Sequence, residues 1–236
     1  MAASPGSKSC TGMECIDRIV GGGFPSGGMI TICGPCGAGK TLFSLEYLIR
    51  GAMAGQKGLH ISTVHSPEKL RTYLPKLDYA DAKLFENGKV TLRHIDDMGS
   101  GERDDGKITK SEAFAMVTDI EEAIKENNAI RMVLDATNPI LMEMEDWVAR
   151  SFILSLSKVL YDTKCTGLLV AEGDRLDGPE HTMADGIISL GNSVRRGDNY
   201  RVLEVIKMSG AAHSRAKYVM DMTSEGLLIT PMLRGF

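Results

Sequence analysis

The sequence predicts an α/β fold in which a mostly parallel central sheet is flanked by helices and carries an antiparallel C-terminal extension. Three observations lead there. Short β-rich apolar runs alternate with segments of helical period between Met29 and Glu172, the rhythm of βαβ units. A glycine loop stands between the first such run and the first long helical segment. After Gly186 the remaining strands follow one another with no helix-length segment between them, which suits antiparallel strands added to a parallel sheet.

The elements follow in chain order. Met29 to Cys33 reads as a strand, and Leu42, Leu45, Ile49 and Ala52 recur at helical intervals before Gly55 stops the helix. Gly58 to Val64 is the next strand, and Ser66-Pro67-Glu68 opens a helix with a capping serine and a proline at its first position. Lys89 to Ile95 alternates like a strand, and Asp96 to Lys107 is a polar, glycine-bearing segment expected to form a mobile surface loop. Ser111 is the expected cap of a helix whose Ala113, Val117, Ile120 and Ile124 share one face. Ile130 to Leu134 is a buried-type strand ending at Asp135, although Arg131 lies inside it. Val148, Phe152, Leu156 and Val159 line up on another helix, which leads into a strand from Thr166 to Glu172. Ile187–Leu190, Arg201–Met208, Lys217–Asp221 and Leu227–Thr230 complete the strands. No internal repeat is found, and residues 1–10 read as a tail before a single domain spanning 11–236.

Composition bounds the function. The 236 residues are 43% apolar and 25% charged, close to the globular average and far from disordered or collagen-like chains. Lys plus Arg number 27 against 31 Asp plus Glu, a net charge of −4, which argues against a general phosphate-backbone binder. Nucleic acid is therefore not an expected partner, although Arg195, Arg196, Arg215 and Lys217 are close enough in sequence to form a local basic patch. The longest apolar runs fall far short of the roughly 18 residues of a membrane span, and Met1 to Lys8 lacks the apolar stretch of a signal peptide. The expectation is a cytoplasmic chain. Its cysteines, Cys10, Cys15, Cys33, Cys36 and Cys165, are odd and modest in number, which does not suit a secreted disulfide framework. Cys10/Cys15 with Cys33/Cys36 resembles zinc-ribbon spacing, and Cys33-Gly34-Pro35-Cys36 spells a dithiol motif. Cys36, however, lies inside the glycine loop, whose backbone has another task. One redox reading stays open, a Cys33–Cys36 disulfide that distorts the loop.

Gly34-Pro35-Cys36-Gly37-Ala38-Gly39-Lys40-Thr41 matches the pattern G-x-x-x-x-G-K-[ST], between a strand and a helix as that motif requires. The glycines let backbone N–H groups turn inward as an anion nest, and the positive end of the next helix adds to the field there. Lys40 would neutralise the β and γ phosphates, and Thr41 would present its hydroxyl to Mg²⁺. A Mg²⁺ site also needs a carboxylate nearby, and Asp135, ending an apolar strand, is the candidate. ATP and Mg²⁺ are the expected ligands.

Further motifs flank this loop. Thr11-Gly12, Ile16-Asp17 and Gly21-Gly22-Gly23-Phe24-Pro25 precede it. Ser62 with Ser66-Pro67-Glu68, Asp135, the strand ending in Glu172, Ala184-Asp185-Gly186-Ile187-Ile188, and Lys207-Met208 with Gly210 and His213 follow it. On these residues the chain, from Thr11 onward, resembles the KaiC-like branch of the RecA superfamily, as a single-domain archaeal-type member. The resemblance implies a RecA-like P-loop NTPase core assembled as a ring, usually a hexamer, with ATP between subunits. It also implies that Lys207 and His213 reach the neighbour's nucleotide, the lysine as a trans cation on the γ-phosphate.

The sequence departs from that pattern where hydrolysis is concerned. Active relatives carry two adjacent glutamates after the second strand, where this chain has Val64 and His65. The trans arginine expected two residues after Lys207 is Ser209, which removes a charge worth about 10³-fold or more in phosphoryl transfer. Lys40 remains, with His65 and Glu172 as candidate catalytic groups and Glu68 as a further carboxylate; neutral imidazole has a suitable pKa for a base. By the same resemblance Thr182 stands where the clock protein is autophosphorylated. The leading expectation is an ATP-binding switch or scaffold in signalling or regulation, with weak or absent hydrolysis and an unidentified protein partner. A working ATPase or autokinase and a RadA-like, DNA-associated ATPase are the alternatives.

Overall fold

A computed structural model of the protein describes residues 7–98, 107–195 and 197–232. Arg196 and most of the expected surface loop between Asp96 and Lys107 lie outside the described residues. The elements run β1 (Lys8–Ser9), α1 (Glu14–Ile19), β2 (Phe24–Pro25), β3 (Met29–Gly34), α2 (Lys40–Met53), β4 (Gly58–Ser62), α3 (Pro67–Arg71), α4 (Lys83–Glu86) and β5 (Val90–His94). They continue with α5 (Lys110–Asn127), β6 (Arg131–Asp135), α6 (Asn138–Leu141), α7 (Asp146–Thr163), β7 (Thr166–Glu172) and α8 (Pro179–Thr182). Strands β8 (Gly186–Arg195), β9 (Asp198–Met208), β10 (Lys217–Thr223) and β11 (Gly226–Pro231) close the chain.

One nine-stranded sheet has the order β11-β10-β9-β8-β3-β7-β6-β4-β5. From β8 to β5 neighbouring strands are parallel, whereas β9, β10 and β11 pair antiparallel beyond β8. The glycine-loop strand β3 is therefore central, between β7 and β8. Its side chains alternate between two cores. Ile30 and Ile32 enter the core formed with α2, and Met29 and Cys33 enter the one formed with α5 and α7. Residues 8–9, assigned to a tail from sequence, pair as β1 with β2.

Three local differences from the sequence reading have physical causes. Helix α5 is capped by Thr109, not Ser111: the Thr109 hydroxyl accepts from Glu112 N, and the Glu112 carboxylate accepts from Thr109 N at 2.7 Å, a reciprocal capping box. Strand β4 stops at Ser62 because its hydroxyl accepts from Val64 N and His65 N, at 3.2 and 2.8 Å, folding the chain into a turn. Helix α2 is buried on nearly every side, with Phe43, Tyr47 and Leu48 inaccessible as well as Leu45, Ile49 and Ala52 of the predicted stripe, while Leu42 is half-buried. Arg131, the charge inside an apolar run, is also buried. Its guanidinium donates to Gln56 Oε1 and to the backbone carbonyls of Cys10, Thr11 and Tyr47, and stacks on the Tyr47 ring, so the cation is fully engaged.

Candidate nucleotide-binding site

The chain leaves β3 at Gly34 and enters α2 at Lys40, and the loop between them depends on glycine at two places. Gly34 adopts φ +148°, and a Cβ there would overlap the backbone carbonyl of Leu190 on the adjacent β8. Gly39, at φ +98°, caps α2 in the left-handed region with Met222 against its face. Lys40 Nζ donates to the carbonyls of Gly34 and Pro35 at 2.7 and 2.8 Å, so the ammonium lies over the mouth of its own loop. Cys36 and Gly37 are exposed at the apex, and Pro35 and Ala38 hold the turn through a backbone hydrogen bond of 3.2 Å.

Asp135 ends β6, two strands away, directly opposite Ser62 of β4. It is buried. Burial raises its carboxyl pKa, opposed by a hydrogen bond from the Thr41 hydroxyl and by the nearby His65 and Lys40. A hydroxyl and a buried carboxylate in contact at the root of a phosphate loop form the donor set a hard divalent cation takes, so Thr41 and Asp135 fit Mg²⁺. Thr63 locks the two strand ends together: its hydroxyl donates to Ala136 O at 2.8 Å, and its N–H donates to Asp135 O at 2.8 Å. That lock places the next two residues beside the loop. Val64 is 57% exposed, whereas His65 is half-buried with its ring edge-on to Tyr73 and its Nδ1 without a hydrogen-bond partner.

Glu172 is the last residue of β7 and pairs with Gly34, so the sheet brings it to the start of the loop, exposed. Asn138 clamps its backbone, accepting from Glu172 N and donating to Glu172 O. Glu68 is on α3, also exposed. Lys207 and His213 are not in this group. Lys207 pairs with Ile187 at the start of β8, which is opposite Thr31, three residues before Gly34. At about 3.3 Å per residue that is roughly 10 Å down the sheet from the loop. There Lys207 Nζ donates to Ala184 O at 2.6 Å, and His213 Nδ1 is 3.1 Å from Ser214 O.

Other residues singled out from sequence are scattered. Cys33 is buried and Cys36 exposed, and the thiols of Cys10 and Cys15 donate to Asp17 and to Leu227 O, so the four sulfurs occupy separate environments. Thr182 is exposed at the end of α8. In the basic stretch, Lys217 is paired with Glu204 at 3.3 Å.

Two features gave no signal in the sequence. A cavity of about 320 Å³ adjoins α2, lined by Leu42, Tyr73, Tyr79, Met222 and Ser224. Its residues come from segments some 180 positions apart, joined because the β10–β11 hairpin packs over α2. The second is His60, fully buried on β4 with neither ring nitrogen hydrogen-bonded, its Nε2 3.8 Å from Asp135 Oδ2. Burial pushes its pKa down to about 3, with a smaller push from His65, so the ring is neutral.

A glycine loop closing on a helix N-terminus at the carboxyl ends of parallel strands, with a hydroxyl and a carboxylate beside it, defines a P-loop nucleotide-binding protein. The comparisons narrow the class. The model of the KaiC ATPase family matches residues 9–234, and the chain belongs to that family. UPF0273 proteins of Pyrococcus horikoshii and Pyrococcus furiosus are 32% and 31% identical to it, each over 94% of this chain and 93% of the relative. The circadian clock protein KaiC2 of Synechocystis is 27% identical over 95% of this chain, which spans 40% of that longer protein. The crystal structure of a KaiC-like protein from Pyrococcus horikoshii shares the fold, with a TM-score of 0.79 over 95% of this chain and 99% of the other at 24% identity. Family membership implies nucleotide binding, generally with Mg²⁺.

Proposed function

We propose that the protein binds ATP with Mg²⁺ and acts as a nucleotide-dependent switch or scaffold in signalling or regulation, turning ATP over slowly or not at all. The backbone from Gly34 to Thr41 holds the phosphates, Lys40 leaves its own loop carbonyls to neutralise them, and Thr41 and Asp135 hold the cation. Mg²⁺, when bound, supplies charge neutralisation across the β and γ phosphates. The cavity beside Leu42 and Tyr73 takes the base. One observation carries the reading: Lys40, Thr41 and Asp135 converge, while the turn after β4 presents an exposed valine and a half-buried histidine beside them. The five free thiols support a reducing, cytoplasmic setting.

A homo-oligomer belongs to this reading, with a hexameric ring as the form the family resemblance implies. Lys207 and His213 stand at the far end of the strands from the loop, which supports a role toward the nucleotide of the next copy. An active ATPase or autokinase is the second reading, favoured by the unpartnered Nδ1 of His65 and by Glu172 beside Gly34. ATP binding and phosphate release measured on one sample, with Lys40→Ala as control, separate the two. Tight binding without turnover above that control supports the switch. Turnover well above it overturns the switch, and His65, Glu68 and Glu172 are then mutated to find the base.

A further inference from the structure

The P-loop explains Lys40, Thr41 and Asp135, but not the histidine beneath them. His60 is 0% exposed, and both of its ring nitrogens are among the described buried polar atoms without a hydrogen-bond partner. A ring placed this way destabilises the fold, because its N–H has given up water for nothing, and an apolar side chain of similar volume would not carry that cost. Its position is specific. His60 and Ser62 lie two residues apart on β4 and point to the same face; Ser62 is opposite Asp135 and His60 opposite Val133. His60 therefore stands one step below Asp135, with Nε2 3.8 Å from Oδ2.

We propose that His60 is a positioning residue for Asp135, its Nε2–H donating to the carboxylate from below when the site is loaded. The inference rests on the proposed role of Asp135 in holding Mg²⁺. The present separation exceeds an ordinary hydrogen bond by less than 1 Å, a distance that a modest rotation of the aspartate side chain closes. Thr41 already donates to the same carboxylate. With His60 as a second donor, one set of lone pairs is fixed by the protein and the others are aimed at the cation and its waters. Carboxylates that ligate a metal are themselves held by outer hydrogen bonds, and loss of such a partner typically lowers metal affinity 10- to 100-fold.

The test is a titration of ATP binding against Mg²⁺ concentration for the full chain, with parallel titrations in EDTA and thermal unfolding. His60→Leu is expected to raise the half-saturating Mg²⁺ concentration at least about tenfold, leave ATP binding in EDTA unchanged, and keep or raise the unfolding midpoint. His60→Gln, which retains a side-chain N–H of similar reach, is expected to restore most of the Mg²⁺ response; His60→Asn, too short to reach, is not. If His60→Leu fails to fold, the Gln and Asn variants decide. An unchanged Mg²⁺ response in His60→Leu overturns the proposal, as does an equal loss with and without Mg²⁺, which marks a packing role. A response that prefers Mn²⁺ or Zn²⁺ and collapses in His60→Gln overturns it too, since His60 would then be a direct ligand. Lys40→Ala and Asp135→Asn separate the layers. If neither alters Mg²⁺-dependent binding, the reading of the site has failed; if both do and His60 does not, only this inference has.

Discussion

The two ends of the parallel strands are built differently. At the carboxyl end, glycine turns, a helix N-terminus, Lys40, Thr41, Asp135, His65 and Glu172 come together within one neighbourhood. At the amino end Lys207 and Asp185 are tied down by backbone: the lysine donates to Ala184 O, and the aspartate accepts from Met29 N at 2.9 Å. Loops leaving parallel strands diverge at their carboxyl ends and open a crevice, which is where such sheets bind ligands. The amino end also has a cavity, of about 720 Å³ and lined by Gly27, Gly28, Lys158, Tyr161 and Asp185, but among the described residues no glycine loop leads from it into a helix N-terminus.

The largest expected effect tests the cradle itself. Gly34→Ala forces a Cβ into the Leu190 carbonyl at a positive φ, and we expect about 4 kcal/mol lost in chemical denaturation. A loss below about 1 kcal/mol would mean that the β3–β8 contact is looser than described. Next, Lys40→Ala should leave unfolding nearly unchanged and weaken ATP binding by about 3 kcal/mol, or roughly 100-fold, in calorimetry.

A smaller effect concerns His181, buried against Cys33 on the α5/α7 side of β3 and 3.2 Å from Glu180 Oε1. Burial alone would lower its pKa, but the adjacent Cys33 thiol and Glu180 carboxylate outweigh it and hold the pKa up at about 9. A histidine raised in the folded state contributes stability that is full below about pH 6.5 and is lost as pH rises through 9. Wild type should therefore lose about 1–2 kcal/mol across that window, and His181→Gln should run flat; parallel slopes would remove the pair. Smallest of all, Lys207→Ala should change ATP affinity less than about threefold in dilute, unassembled protein. A tenfold loss there would put Lys207 on its own chain's nucleotide and erase the contrast between the two ends.

Much of this was legible from residue order. The P-loop, α2, the strand ending at Asp135 and the change of rhythm after Gly186 are local patterns, carried by glycine geometry and by periods of 2 and 3.6. The α5 cap is not decided by residue type, because Ser111 and Thr109 are both capping types; only the reciprocal bond with Glu112 distinguishes them. Arg131 read as an anomaly until four acceptors from three distant segments closed around it.

The site divides along the same line. Which residues could touch phosphate followed from the chain, because the nest, the lysine and the hydroxyl are consecutive and their chemistry depends on that adjacency. Which groups stand behind them did not. His60 beneath Asp135, Tyr73 and Met222 around one cavity, and Lys207 at the far end of the sheet are set by strand order and register, which join residues up to 180 positions apart. Contacts of that range leave no periodicity in a single sequence, since each partner is chosen by packing against elements that the other never adjoins in the chain.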